Sequence, residues 1–420
     1  MKTFDVIIIG AGVVGSSIAL SLARAGIKSL NVDALPAAGY GSTSYSSAII
    51  RPFYSHVTAC AIAHESRARW LQWPEFLASA DPQGVARYHE TGGVVLVAEG
   101  TETDYAANLD ALEAVGVEYQ WLSESDLRHL YPSICLDSFA PPRRREEDEF
   151  GQSNGQRISK GIWIAACGHV NDPQLAAHNL YHTAQAAGGD FVFNTRVAEI
   201  TRGKGMISGV VLQNGEQISA PIVINAAGPH SNQINLMAGI TNIETQAQRH
   251  EVAYLKSPES GINQQGFLVD LDTGVYQRGD GADVLVGSTD PLCDPVEVAN
   301  PDNYNAGLTE QWTQQVYRAA LRFPELAIEN SARGTVGLYD VSKDWIPIYD
   351  RTDLGGYFVA IGTSGNQFKN APIIGEIMTR IITTTDPDSV LLALPNVQRE
   401  VDLSFYSRLR QPQKTNSVLA

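Results

Sequence analysis

Apolar residues near the N-terminus follow two different patterns. Val6–Ile9 is apolar at every position, which is typical of a parallel strand buried on both faces. From Val14 onward apolar residues recur four positions apart, at Ile18 and Leu22, and this spacing predicts a helix with one buried face. A second short strand is predicted over Ser29–Val32. The pattern therefore predicts a strand, a helix and a second strand in close succession.

Three glycines stand where the first predicted strand passes into the helix. Gly10 permits a tight turn, Gly12 lets the backbone approach a pyrophosphate, and Gly15 lets the helix pack closely on the strand. Asp33 ends the second strand, where a carboxylate accepts hydrogen bonds from a ribose diol. A glycine triplet alone is as often a simple turn, but the strand, the helix and the terminal acid together favour a dinucleotide site at the helix N-terminus.

The apolar pattern continues through the chain as strands and helices of mixed arrangement. The run 221–228 repeats the shape of the first strand and ends in Gly228, a second place where backbone can press against a cofactor. Alternating strands between 248 and 287 suit an antiparallel sheet with one face covered and the other facing a ligand. Helices are predicted over 58–76, 108–115, 171–188, 308–323 and 371–383.

Composition narrows the class of protein. The chain has 420 residues, 44% hydrophobic and 18% charged, which is ordinary for a globular protein with two domains. A net charge of −16 argues against nucleic acid and against an anionic membrane surface as partners. No stretch of about eighteen apolar residues occurs, so we expect no membrane span and a cytoplasmic protein. The four cysteines are far apart and indicate neither a metal site nor a disulfide framework.

Several blocks stand in a characteristic order along the chain. They are the N-terminal turn with Asp33, and 41–51, 225–229, 274–276, 337–339, 346–348 and 362–369. In this order the chain resembles the D-amino acid oxidase superfamily of FAD-dependent oxidoreductases, nearest to its sarcosine oxidase and glycine oxidase branch. The resemblance implies an α/β, Rossmann-like FAD-binding domain built from separate segments, and a mixed α+β substrate domain with an antiparallel sheet. The flavin is expected between the two domains.

The implied fold sets domain boundaries. The FAD-binding domain is expected over 1–85, 155–230 and 331–405, the substrate-binding domain over 86–154 and 231–330, and a flexible tail over 406–420. The segment 141–156 is interpreted as a solvated, charged loop, or otherwise as a lid over the site.

The resemblance assigns residues to the cofactor, which is expected to be FAD. The ADP half is expected against Gly10, Gly12, Val13, Val14, Gly15 and Asp33, with the adenine near Val197. The pyrophosphate and the flavin ring are expected against Ser42, Thr43, Ser44, Ala48 and Ile49, with Ala227 and Gly228 nearby. The pyrimidine side of the ring is expected against Gly365, Asn366, Gln367, Phe368 and Lys369. These last residues precede a helix whose N-terminal dipole would favour the negative charge of a reduced flavin.

Two cations define the expected substrate site. Arg51 and Lys369 match the pair that sarcosine oxidases use to hold a substrate carboxylate, and charge-assisted hydrogen bonds from both would fix which carbon faces the flavin. Tyr276 and Tyr339 match aromatic positions beside the substrate. The alternatives are an ordinary surface charge for each cation and core packing for each tyrosine.

At three positions the chain departs from the sarcosine oxidase pattern. Leu285 replaces a lysine that promotes reaction with oxygen, and Thr289 replaces a histidine that follows it. Oxygen and another acceptor are therefore both open as the destination of the electrons. Gly337 replaces the cysteine that tethers the flavin, so FAD is expected to be bound without a covalent link.

The expected reaction is oxidation of a small amino acid or secondary, N-methyl amine that carries a carboxylate. A hydride equivalent passes from the Cα or N-methyl carbon to flavin N5, and water hydrolyses the resulting imine. His250, beside Arg249, either aids deprotonation or is a structural histidine. Two alternatives are a 2-hydroxy acid dehydrogenase on the same fold and a non-catalytic, flavin-stabilised assembly factor. The oligomeric state is open.

Overall fold

The computed structural model describes residues 2–386 and 390–413. Its N-terminal unit forms as the apolar pattern predicts, over Val6–Ile9, Val13–Arg24 and Ser29–Val32. Every residue of both strands is buried, because these strands lie inside a sheet with both faces covered.

A six-stranded sheet contains this unit. In order across the sheet, its strands are Asp190–Val192, Ser29–Val32, Val6–Ile9, Ile222–Asn225, Tyr357–Ile361 and Ile348–Arg351. All pairs are parallel except the last, which is antiparallel. The carboxyl ends of the parallel strands meet along one edge, which is where open α/β sheets bind ligands.

Three helices from distant parts of the chain pack together. The helix Val13–Arg24 contacts both Pro173–Ala186 and Ala371–Thr383. The Ser17 hydroxyl accepts a hydrogen bond from the Gly375 N–H at 2.9 Å and donates one to the carbonyl oxygen of Ala371. A Cβ at Gly375 would stand 2.2 Å from the carbonyl oxygen of Ser17. The last helix therefore lies in backbone contact with the first, and its N-terminus is fixed beside the N-terminal unit.

A second large sheet has eight strands. In order, they are Gly334–Val341, Gln246–Lys256, Asp283–Ser288, Val275–Asp280, Phe267–Asp270, Gly93–Ala98, Ile158–Ile164 and Gln120–Ser123. Neighbouring strands are antiparallel except for the parallel pair Phe267–Asp270 and Gly93–Ala98. The helix Glu310–Arg322 packs against this sheet. The mixed architecture expected from the sequence, α/β in one part and α+β in the other, is confirmed.

The domain boundaries stay a prediction. Two strands, however, pair with a different sheet from the one that the predicted boundaries imply. Ile158–Ile164 and Gly334–Val341 both belong to the eight-stranded sheet, whereas the sequence places them in the FAD-binding segments 155–230 and 331–405. Each pairs with a strand that is distant in sequence, and such pairing leaves no local signal in the apolar pattern.

The helix expected over 58–76 is two helices, Val57–Leu71 and Trp73–Leu77. Pro74 lies in the first turn of the second one, because proline has no N–H to donate and fits a first turn. The expected helix over 108–115 forms as Ala106–Ala114. Two further helices, Glu124–Leu130 and Ser231–Met237, are absent from the sequence prediction. The first begins with a capping box between Ser123 and Asp126, which is a signal that the sequence does contain.

Smaller sheets complete the described chain. One has the strands Lys2–Thr3, Gln217–Ser219, Met206–Leu212 and Val197–Gly203; another has Ile49–Ile50, Gly168–Val170 and Tyr88–His89; a third has Leu391–Leu394 and Arg399–Asp402. Within residues 2–386 and 390–413, no helix combines the length and the apolar character that crossing a membrane requires.

Two segments expected to be loose are held by polar contacts. In the segment 141–156, the Arg145 N–H donates to the Gln314 side chain at 2.8 Å, and Gln314 donates to Glu146 at 2.9 Å. In the expected tail, Arg410 forms an ion pair with buried Asp344 at 2.6 Å. Residues 406–413 are therefore held against the rest of the molecule, and 414–420 lie outside the described residues.

Candidate active site

The glycine turn is closely packed in the way its residues predict. Gly10 has φ +114°, and a Cβ there would stand 2.3 Å from the carbonyl oxygen of Ala226 on the neighbouring strand. A Cβ at Gly15 would stand 2.1 Å from the carbonyl oxygen of Gly10. Asn31 ties the turn together, because its buried amide donates to the carbonyl oxygens of Gly10 and Gly15 at 3.0 and 3.1 Å. Asn31 is not among the residues predicted from the sequence. The signal that could have found it is a polar amide side chain in the middle of an otherwise apolar, buried strand.

Thr43 lies against the N-terminus of the first helix. The Val13 N–H donates to its hydroxyl at 3.1 Å, and Gly12 caps the helix without a side chain. The neighbouring hydroxyls are used differently, since Ser42 donates to the carbonyl oxygen of Leu338 at 2.6 Å and Ser44 to that of Gly41 at 2.9 Å. Of the three predicted hydroxyls, the one placed at the helix N-terminus, where an anion is favoured, is that of Thr43.

Asp33 lies at the end of the second strand, as predicted. Its carboxylate accepts hydrogen bonds from the N–H groups of Ala11 and Leu35 at 2.6 and 2.8 Å. Burial raises the pKa of Asp33, while these two hydrogen bonds oppose the rise. The Thr195 N–H donates to the Asp33 carbonyl oxygen at 3.0 Å. This contact places the chain just before Val197 alongside the acid.

The neighbourhood of these residues leaves room for the ADP half of FAD. Gly228 has φ +55°, and no atom of a residue other than itself and its chain neighbours lies within 4 Å of the place where its Cβ would be. The free space beside Gly228, the helix N-terminus at Gly12 and the carboxylate of Asp33 are what the diphosphate and ribose of a dinucleotide need. The residues present therefore fit the cofactor that the sequence implies.

Arg51 and Lys369 meet at one aromatic ring. Only 5% of Arg51 and 4% of Lys369 is exposed, so neither is the surface charge that the sequence left as an alternative. The guanidinium carbon of Arg51 lies 4.7 Å, and the ammonium of Lys369 5.5 Å, from the centre of the Tyr54 ring. Arg51 donates to the carbonyl oxygen of Phe53, and Lys369 to that of Asn366. Burial lowers the pKa of both cations, and the charge of Arg51 lowers that of Lys369 further.

The four predicted substrate residues line a single pocket, called the substrate pocket below. Arg51, Lys369, Tyr276 and Tyr339 come from separate stretches of the chain and all face it. Its remaining walls include predicted flavin-contacting and apolar residues, among them Ile49, Gly365, Asn366, Phe368, Phe267 and Val269. The structure therefore brings the predicted carboxylate site and one side of the predicted flavin site together.

The two tyrosines are fixed in position by glycines behind their rings. A Cβ at Gly287 would stand 2.3 Å from the Tyr276 ring, and one at Gly365 2.3 Å from the Tyr339 ring. The Tyr276 hydroxyl lies 3.4 Å from the Ser47 hydroxyl. Burial raises the pKa of both tyrosines, so both keep their protons at neutral pH.

His250 lies behind Tyr339 and is not among the residues that line the substrate pocket. Its ring stacks on that of Tyr339 with centroids 3.9 Å apart, and its Nδ1 lies 3.4 Å from a carboxylate oxygen of Asp290. This placement favours the structural interpretation of His250, because a group behind the ring does not reach a substrate amine.

The departures at Leu285 and Gly337 have structural counterparts. Leu285 is 2% exposed and part of the apolar core, and Thr289 lines the substrate pocket. A Cβ at Gly337 would stand 2.9 Å from the Cβ of Tyr45. A cysteine at Gly337 therefore has no room unless Tyr45 moves, which supports the expectation of a flavin held without a covalent link.

Asp340 supports the turn that precedes the predicted flavin contacts, and sequence reasoning missed it. One carboxylate oxygen accepts the Gly362 N–H at 2.6 Å, and the Asp340 carbonyl oxygen accepts the Ser364 N–H at 2.8 Å. Burial raises the pKa of Asp340 to about 6. Its position directly after the block 337–339 is the only sequence signal that it carries.

Comparison with known proteins gives consistent results. The family model described as FAD dependent oxidoreductase, DAO, matches residues 5–381. The beta subunit of sarcosine oxidase from Rhodobacter capsulatus is 24% identical over 91% of this chain and 85% of its own length. One subunit of opine oxidase from Rhizobium meliloti is 25% identical over 84% of this chain and 86% of its own. The crystal structure of L-proline dehydrogenase from P. horikoshii is 22% identical and superimposes with a TM-score of 0.77 over 97% of both chains.

Proposed function

Since the chain belongs to the DAO family of FAD-dependent oxidoreductases, we propose that it oxidises a small amino acid or secondary amine that carries a carboxylate. The resemblance seen in the sequence is thereby confirmed at the level of the family, the enzyme class and the cofactor. The observation that carries the substrate proposal is the pair of buried cations, Arg51 and Lys369, which both line the substrate pocket and both lie against the ring of Tyr54.

A carboxylate is the ligand that this pair favours. Two cations in one buried pocket repel each other, and burial already disfavours the charge on each. A substrate carboxylate would compensate both charges and form charge-assisted hydrogen bonds with both groups. The same contacts would hold the substrate in one orientation, which is the protein's main contribution to a reaction whose chemistry is supplied by bound FAD acting as a two-electron acceptor.

Two tyrosines of the same pocket suit the amine end of such a substrate. Tyr276 and Tyr339 keep their protons, because burial raises the pKa of both, and each hydroxyl can therefore donate to or accept from a neutral amine. Phe267 and Val269 give the pocket an apolar wall. We propose that the carbon next to nitrogen loses a hydride equivalent there and that water hydrolyses the imine after release.

The names of the relatives agree with this substrate class. Sarcosine oxidase, opine oxidase and L-proline dehydrogenase are named after amines that carry a carboxylate. Two of these names describe parts of a larger enzyme, so a partner chain belongs to the proposal as well. Oxygen and another acceptor both remain candidates for the reoxidising step.

The proposal is tested by anaerobic reduction of the purified holoprotein. Oxidised flavin absorbs near ~450 nm, and we expect this band to bleach with secondary amino acids such as sarcosine or proline. Bleaching by 2-hydroxy acids but not by amines would identify the alternative dehydrogenase. Colour that persists across a broad panel of both classes would support the assembly factor instead.

A further inference from the structure

A second cavity lies behind Tyr54. Tyr54 lines this cavity, whereas Arg51 and Lys369 line the substrate pocket and approach the face of the same ring. Asn366 lines both spaces, and the Tyr54 hydroxyl lies 3.4 Å from the Asn366 carbonyl oxygen. The two spaces therefore share Asn366 as part of their walls, and both lie next to the segment 365–369 that is predicted to contact the flavin.

The walls of the second cavity are aromatic and carry no formal charge. Rings from Tyr54, Trp345, Phe405 and Tyr406 line it, and among the described lining residues none is an aspartate, glutamate, lysine or arginine. His56 also lines it, and burial lowers the pKa of His56, which keeps the imidazole neutral at pH 7. Such a lining favours a planar, uncharged molecule over a phosphate or a carboxylate.

Two polar groups on these walls are suited to a ligand with oxygen atoms. Asn370 is 2% exposed; its amide nitrogen donates to Gln367 at 2.8 Å, but its oxygen, Oδ1, has no hydrogen-bond partner. This oxygen is itself buried, so a ligand that donates an O–H or N–H reaches it only when the Asn370 side chain turns toward the cavity. The Nδ1 of His56 accepts the Thr58 N–H at 3.2 Å, so the neutral ring carries its proton on Nε2 and can donate it.

The backbone conformation of Trp345 is a second, independent indication that this wall of the cavity has a function. Its backbone has φ +62°, a conformation that is strained for a bulky residue and is concentrated at functional sites. The Trp345 carbonyl oxygen accepts the Asn366 amide at 3.4 Å. The strained residue is thereby linked to the segment that borders both spaces.

We propose that the second cavity binds a small neutral quinone, which takes up the electrons that the substrate has left on the cofactor. The quinone gains two electrons and two protons and leaves as the quinol, while the cofactor returns to its oxidised form. A quinone carbonyl oxygen accepts from His56, and a quinol hydroxyl donates to Asn370. This assignment rests on the proposed function for the source of the electrons, but not for the binding site itself.

The test compares two tryptophan substitutions on one helix. Ala107 lines the second cavity and is exposed at its rim, whereas Ala106, also exposed, does not line it. Adjacent positions on a helix face directions about 100° apart and have the same intrinsic helix preference. Ala107→Trp therefore fills the cavity, and Ala106→Trp is its matched control; both are first checked for bound FAD and for an unchanged thermal midpoint.

The first readout is reoxidation of holoenzyme whose flavin has been reduced photochemically, so that no substrate is needed. After mixing with menadione without oxygen, we expect recovery of the flavin band to be at least tenfold slower in Ala107→Trp than in wild type or Ala106→Trp. Equal rates in all three proteins would overturn the proposal. A matching loss in anaerobic reduction by the amine would overturn it too, because the cavity would then be the route of the substrate.

The second readout is binding to the oxidised holoprotein, without turnover. Menadione should quench tryptophan fluorescence with a saturable dependence in wild type and in Ala106→Trp, and without saturation in Ala107→Trp. A saturable signal that survives in Ala107→Trp would contradict the assignment of the site. If no amine reduces the wild-type enzyme but both menadione results hold, the proposed function fails and the quinone site stands.

Discussion

At the scale of single residues, Tyr54 explains how two cations share a buried pocket. The face of its ring is attractive to positive charge, and both Arg51 and Lys369 approach it. The ring offsets only part of the cost of burying them, as the lowered pKa of each cation indicates.

We predict that Lys369→Met raises KM for the amine substrate roughly 10- to 100-fold, the loss expected for one charge-assisted hydrogen bond to a carboxylate. FAD should stay bound, because Arg51 and the flavin-contacting backbone are unchanged. Steady-state kinetics measure the KM, and the visible spectrum of the purified variant shows whether FAD is bound. Lys343→Met is the matched control, since Lys343 is an exposed lysine outside the substrate pocket. Identical kinetics in the two variants would remove Lys369 from the substrate site.

Asp340 predicts a pH dependence of stability. Its folded-state pKa of about 6 is higher than that of an unfolded aspartate, about 3.9, so the folded state binds the proton more tightly. Its contribution to the free energy of unfolding is present below the unfolded pKa and is lost as the pH rises through 6. In Asp340→Asn this contribution no longer changes with pH, and the amide oxygen can still accept the Gly362 N–H.

The measurement is urea unfolding of both proteins at pH 4.5 and pH 7. From pH 4.5 to pH 7 the variant should gain about 2 kcal/mol over wild type, at about 1.4 kcal/mol per pKa unit. A difference between the two proteins that is the same at both pH values would show that Asp340 is not a buried acid of raised pKa.

The residues that the sequence could predict are those whose role follows from their neighbours along the chain. Gly10 and Asp33 belong to a local pattern, and Arg51 and Lys369 lie in blocks that resemble a family. Tyr54, Gly287 and Asp340 lacked such a signal. Tyr54 matters because cations from two distant segments meet at its ring, and Gly287 because a tyrosine ring from the next strand occupies the space of its missing side chain.

At the scale of elements, the last helix links the two ends of the chain. Ala371–Thr383 begins directly after Lys369 and lies in backbone contact with Val13–Arg24 through Gly375 and Ser17. Both helices point an N-terminus toward predicted cofactor contacts. Their existence follows from local periodicity, but their mutual contact, at a sequence separation of 358 residues, does not.

We predict that Gly375→Ala destabilises the holoprotein and weakens FAD binding. The added Cβ would stand 2.2 Å from the Ser17 carbonyl oxygen, so the helices must separate, and such overpacking costs about 1–3 kcal/mol or more. Thermal unfolding and FAD titration of the apoprotein measure the two effects. Thr383→Ala, at an exposed position of the same helix, is the control. An unchanged thermal midpoint in Gly375→Ala would show that the helices can move apart without cost.

At the scale of the whole molecule, the expected FAD site and the expected substrate site together draw on both sheets. The six-stranded sheet supplies the turn at Gly10 and the acid at Asp33, while the eight-stranded sheet supplies Tyr276 and Tyr339. The segment 365–369 follows the strand Tyr357–Ile361 of the six-stranded sheet and lines the same pocket as the tyrosines. A cofactor held at Gly10, at Asp33 and by the segment 365–369 would connect parts of the chain that are far apart in sequence.

Binding of FAD should therefore stabilise the two ends of the chain together. A ligand present at a hundred times its Kd stabilises the folded state by about 2.7 kcal/mol, and FAD held without a covalent link can be removed and returned. In the apoprotein, amide hydrogen exchange should become faster both at residues 10–16 and at 365–373, and added FAD should restore protection at both. The strand Gln120–Ser123, at the far edge of the eight-stranded sheet and outside the substrate pocket, is the internal control. Protection that changes at 10–16 alone would mean that the last helix does not take part in holding the cofactor. Flavin that stays with the protein precipitate after acid treatment would mean that the flavin is covalently attached despite Gly337.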